Sequence, residues 1–82
     1  MRVLEIRPMP FGWSLGISDV ANPMVFHSGA AAEAAARRLG AHLATHGEPA
    51  MLIVRLRDGS VGGRFIFPPA LSSEAAGMRR AA

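Results

Sequence analysis

The chain lacks cysteine, lysine and tyrosine entirely among its 82 residues. Without cysteine there is no disulfide framework, no thiolate metal site and no sulfur nucleophile, so redox chemistry does not fix the compartment. Without lysine and tyrosine, almost nothing titrates between the histidines and the guanidinium groups. The sequence pI of about 11.5 therefore reports missing buffer groups, because nine basic against six acidic residues leave a net charge of only +3. Aromatic residues are also scarce, with one Trp and four Phe. Half the residues are hydrophobic, but fifteen of them are alanine, so large apolar side chains are few. No run approaches the ~20 apolar residues of a membrane span. The stretch Met1 to Pro8 breaks its apolar residues with charge too often for a signal peptide. The expectation is a cytoplasmic chain with no membrane contact. A single core at this length only just offsets chain entropy.

Hydrophobic alternation marks the strands. Residues 2–7 place Leu4 and Ile6 on one side and Val3, Glu5 and Arg7 on the other, and Pro8-Met9-Pro10 is expected to close the strand. Residues 12–19 oppose Trp13, Leu15 and Ile17 to Ser14, Gly16 and Ser18. Asn22-Pro23 turns the chain, and Met24-Val25-Phe26 can extend the pairing. A helix is expected between Ser28 as N-cap and Gly47 as a left-handed stop. At 100° per residue, Ala32, Ala36, Leu39, Leu43 and His46 form its stripe, opposite Glu33 and Arg37. A hairpin follows, with Asp58-Gly59 as a two-residue turn of type I′ preference. That turn sets Leu56 against Val61, Arg55 against Gly62, Val54 against Gly63, Ile53 against Arg64 and Leu52 against Phe65. One hairpin face then carries Leu52, Leu56, Val61, Phe65 and Phe67, and the other carries Arg55, Arg57 and Arg64.

The expected architecture is α+β: a four-stranded, mostly antiparallel sheet with one helix packed on one face, in the order ββαββ. Residues 1–67 form the single domain, and 68–82 are expected to be a disordered tail. Gly12-Trp13 in an early strand, Phe26-His27-Ser28 entering the helix, small residues at Ala32, Ala35 and Ala36, and the Asp58-Gly59 hairpin resemble a family of small bacterial domains of unknown function. The likeness spans residues 3–67 and implies the ββαββ order but no activity. That family commonly places a basic residue after the Ser/Thr at the helix start, where this chain has Gly29.

Catalytic chemistry finds little to work with. His42 and His46 have the i,i+4 spacing of a helical metal pair, but no glutamate lies between them and no cysteine completes a shell. His27 is at the opposite end of the helix, roughly 20 Å away by helical rise. The six carboxylates are scattered singly, and the glycines at 59, 62 and 63 belong to a hairpin rather than a phosphate loop. A domain this small leaves little room for a buried pocket of ~300 Å³. The expectation is no enzyme, no metal and no cofactor.

The informative surface is the sheet face away from the helix. Arg7, Arg55, Arg57 and Arg64 are expected there, with Glu5, Ser14, Ser18, Ile53 and Ile66 between them and Val3 as a further apolar residue. The expected function is protein interaction or homodimerisation, through this face or through a strand edge near Val3 or Phe67. The alternative is sequence-independent nucleic-acid binding, with the four guanidiniums gripping phosphates. An ordinary solvated face carrying Arg is the third reading.

Overall fold

In a computed structural model, residues 1–69 are described. The expected tail begins at Pro68 and so lies, from Ala70 onward, outside the described residues. The chain runs β1 (Arg2–Met9), β2 (Gly12–Ile17), β3 (Met24–Phe26), α1 (Gly29–Thr45), β4 (Ala50–Arg55) and β5 (Val61–Phe67). The strands form one five-stranded sheet in the order β3-β2-β1-β4-β5, with α1 packed across one face.

The α+β class and, among the described residues, the single helix agree with the sequence reading, but the sheet is larger and mixed. Met24–Phe26 is a separate third strand, antiparallel to β2 with Trp13 opposite Phe26. β1 and β4 are parallel neighbours, Leu4 beside Leu52 and Ile6 beside Val54. Parallel neighbours need a long crossover, and α1 supplies it. Because β1 is flanked by β2 and β4, Val3 does not lie on a sheet edge. β1 also runs through Pro8 to Met9 rather than stopping before the proline. The β1–β4 ladder ends at Ile6 and Val54. Even-numbered residues of β1 turn their backbone groups toward β4, so the missing N–H of Pro8 falls past the end of that ladder and costs no bond.

The helix follows its predicted caps. Ser28 Oγ accepts from the Ala31 N–H at 3.1 Å. At the other end Gly47 takes φ +81° while its N–H donates to Ala44 O and the Glu48 N–H donates to Leu43 O. Those two bonds satisfy carbonyls that the helix end would otherwise leave unpaired. Ala32, Ala36 and Gly40 are the buried positions of α1. They bring the helix close to Leu4, Ile6, Leu15 and Leu52, which are essentially inaccessible to solvent. His46, expected at the end of that stripe, is exposed: it is the C-cap, past the last helical residue Thr45, and its ring lies against His42.

The hairpin departs from prediction at its tip. The Gly59 N–H donates to Leu56 O, and the Leu56 N–H donates to Ser60 O, so three residues rather than two form the loop. A type I′ turn needs positive φ at both central residues, and here Gly59 has φ +89° while Asp58 does not take a positive φ. A bulge then sets Arg55 opposite Val61 and Val54 opposite Gly63. The longer loop removes one residue from the register and the bulge restores it. The pairs Leu52–Phe65, Ile53–Arg64 and Val54–Gly63 therefore stand as expected, whereas Arg55–Gly62 and Leu56–Val61 do not. Expected in the core, Leu56, past the end of β4, and Val61, at the hairpin side of the bulge, are 47% and 40% exposed.

A Cβ at Gly40 would fall 2.7 Å from the Phe67 ring. Gly40→Val is expected to lower stability by about 1–3 kcal/mol despite replacing a poor helix former. Urea unfolding checks this against the exposed Ala41→Val, which is expected to change stability by less than about 1 kcal/mol. Equal loss in both variants would mean that helix propensity alone sets the cost.

Candidate functional site on the open sheet face

Strand parity places Val3, Glu5 and Arg7 of β1, Ser14, Gly16 and Ser18 beside them, and Met51, Ile53, Arg55, Arg64 and Ile66 of β4 and β5 on the face away from α1. Glu5 stands at its centre. Its two carboxylate oxygens each accept from a guanidinium Nε at 2.8 Å, Arg55 on Oε2 and Arg7 on Oε1. Arg55 also donates from Nη1 to Gly59 O at 3.1 Å, tying the hairpin tip to the sheet. The hydrogen bond from Arg55, with that from Arg7 and the charge of both, holds the Glu5 carboxyl below its ordinary range against the opposing effect of burial.

The four arginines named from the sequence thus separate into three situations. Arg7 and Arg55 share Glu5, so the trio carries one net positive charge. Arg64 is exposed and has no ion-pair partner among the described residues. Arg57 does not share this environment. Its guanidinium lies 5.7 Å from the centroid of the Trp13 ring and donates to Met9 O at 3.3 Å. Trp13 faces α1, with its ring under Gly29. β4 ends at Arg55, so strand alternation no longer governs Arg57, which belongs to the turn.

Beside Glu5 lies a concavity of about 430 Å³, lined by Val3, Glu5, Arg7, Ser14, Ser18 and the turn residues Val20, Ala21 and Pro23, among others. It exceeds the volume expected of so small a domain, but none of its lining residues is buried. Glu5, its one carboxylate, is held ionised by two guanidiniums, and no imidazole lines it. Ser18 is occupied in the ladder, its Oγ accepting from the Val3 N–H at 3.1 Å. The arrangement offers charge and hydrogen bonds, with no base positioned to activate either serine.

The histidine pair lies elsewhere. The His42 and His46 rings are 4.4 Å apart, and His46 Nδ1 is 2.9 Å from the His42 carbonyl oxygen, a local contact at the helix end. Among the described residues no three metal-ligating side chains converge, and no helix is long and apolar enough to cross a membrane.

The remaining feature is the edge. Among the described residues nothing pairs with the outer side of β5, on which Val61, Phe65 and Ile66 are 40%, 36% and 56% exposed. Phe65, expected as a core anchor, lies at the margin of the helix face, and Arg37 of α1 covers its ring at 4.3 Å. Phe67 and Trp13 are half-buried against the core.

Sequence reasoning missed Glu5 as the organiser of this face. The sole carboxylate among several arginines is a usable signal, but Glu5 and Arg55 are 50 residues apart and meet only through the parallel β1–β4 register.

No protein-family model, curated protein or solved structure matches the chain. The likeness drawn over residues 3–67 therefore rests on its own short motifs.

Because Glu5 is more acidic folded than unfolded, its contribution to stability is complete above the ordinary carboxylate range and is lost as pH falls through the lowered folded value. Glu5→Gln is expected to be less stable than wild type at neutral pH, with the difference shrinking as the medium is acidified through that window. Denaturant midpoints measured across pH check this. A difference that stays constant with pH would remove the carboxylate from the account.

Proposed function

We propose that this chain is a non-enzymatic protein-interaction module that works by self-association through the β5 edge and the adjoining open face. The single observation that carries this reading is β5 itself. It has seven residues, no proline, and no strand partner on its outer side among the described residues. Exposed edges are templates for another strand, and the devices that blunt them are confined on β5 to one charge, Arg64, and a bulge at the hairpin end, which leaves Arg64–Phe67 regular. The other edge, β3, is only three residues long and follows Pro23 directly. Beside β5 the open face adds Ile66 and Ile53, and the small core gives such a domain something to gain from pairing.

Nucleic-acid binding draws less support from the same face. Glu5 offsets one of its two neighbouring arginines, and Arg57 is engaged with Trp13 and Met9. That leaves Arg64 as the one of the four arginines with no hydrogen-bond or ion-pair partner among the described residues, too little for a phosphate track.

Sedimentation from micromolar concentration upward separates the two. The expected result is a monomer–dimer equilibrium that survives raised salt, with no mobility shift of duplex DNA at low salt. A chain that stays monomeric at every concentration overturns the proposal. A salt-sensitive DNA complex from such a monomer would favour the nucleic-acid reading instead.

A further inference from the structure

The outward side of β5 can be assigned residue by residue. The Arg2 N–H donates to Pro49 O, and Arg2 is level with Ala50. In a parallel ladder this alternates, so Met51 and Ile53 turn their backbone groups to β1 while Ala50, Leu52 and Val54 turn theirs to β5. Leu52 is opposite Phe65 and Ala50 is opposite Phe67. Phe65 and Phe67 therefore spend their N–H and C=O groups on β4, and Arg64 and Ile66 point theirs away from the sheet.

We infer that two copies of the chain join by antiparallel pairing of β5 with β5, in the register that sets Phe65 on the two-fold axis and Arg64 opposite Ile66 of the second copy. This rests on the reading of the chain as self-associating through β5, and it specifies how. A two-fold antiparallel pair must match outward residues with outward residues, so its axis passes through a residue of the strand. An axis at Arg64 sets the two guanidiniums directly opposite each other, which is destabilising, and reaches into the bulge at Gly62. An axis at Ile66 sets Arg64 opposite Pro68, which has no N–H to give. An axis at Phe67 likewise sets Ile66 opposite Pro68. An axis at Gly63 falls within the bulge, where pairing is irregular.

Only the axis at Phe65 pairs both Arg64 and Ile66 without drawing on Pro68 or the bulge, with Arg64 N–H and C=O meeting those of Ile66 at both ends; Gly62 falls opposite Pro68 beyond them. It also sets the two Phe65 rings side by side as a non-hydrogen-bonded pair, the closer of the two antiparallel geometries. Each ring carries Arg37 on its own helix side. The joined sheet has ten strands, and its two open faces form one surface.

Because the chain has no cysteine, one introduced thiol reports the register without competition. Phe65→Cys places the two thiols across a non-hydrogen-bonded pair, with Cα atoms ~4.5 Å apart and within disulfide reach. Mild copper–phenanthroline oxidation is expected to convert it to a covalent dimer. Arg64→Cys sets its thiols diagonally, ~7–8 Å apart, and is expected to stay largely uncrosslinked. Ile66→Pro removes an N–H that the monomer does not use, so its circular dichroism is expected to match wild type. Its dimer dissociation constant is expected to rise roughly tenfold or more, because each interface loses two hydrogen bonds. A wild-type dimer whose Phe65→Cys variant fails to crosslink, or one that Ile66→Pro leaves intact, overturns this register while self-association stands. A wild-type monomer at all concentrations overturns both.

Discussion

One parallel ladder, β1 against β4, joins the two halves of the fold. On one side is the antiparallel meander β1-β2-β3, and on the other the hairpin β4-β5; each pairs locally, and Arg2–Ile6 beside Ala50–Val54 is the one strand pairing between them among the described residues. Strands that run the same way cannot be joined by a tight turn, so the ladder requires the crossover helix, and the helix in turn covers the ladder. Leu4, Ile6 and Leu52, all on these two strands, are among the largest fully buried side chains. The same register brings Arg55 to Glu5 and turns the outward backbone groups of β5 to Arg64 and Ile66. Core, ion pair and open edge are consequences of a single pairing.

The small residues of α1 set how that core is built. With Ala32, Ala36 and Gly40 as its buried positions, the helix contributes little side-chain volume and gains stability by approaching the sheet closely. Gly40 takes up the ring of Phe67, and Gly29 takes up that of Trp13. Trp13, Phe26 and Phe67 are accordingly half-buried against the core instead of filling its centre. Such a core buries few large side chains, so additional burial at an edge has a proportionally large effect on a domain of this size.

Charge on the open face is organised by subtraction. Nine basic residues and a pI near 11.5 suggest a strong positive field. Glu5 instead holds two guanidiniums side by side, and Trp13 with the Met9 carbonyl engages a third arginine on the helix-bearing side. Parity correctly assigned Arg7, Arg55 and Arg64 to the open face, because alternation within a strand is a local property. It failed for Arg57, where the strand had already given way to a turn.

Elements whose signals are local were legible in the chain alone. Alternation defined the two faces of β1 and β2, Ser28 and Gly47 bounded the helix, and the inner hairpin pairs followed from chain spacing. Whatever depends on partners far apart in the chain had to wait for the folded arrangement. The parallel placement of β1 beside β4 moved Val3 from an edge to the centre and made a mixed five-stranded sheet. The meeting of Glu5 with Arg55 came from that placement. The compensating loop and bulge at the hairpin tip were also beyond local reading, since two registers that agree at Val54 and Gly63 share the same hydrophobic pattern. Local propensity acts over a few residues, whereas sheet order is set by which pairing buries Leu4, Ile6, Leu15 and Leu52 together, and that condition is written across the whole chain.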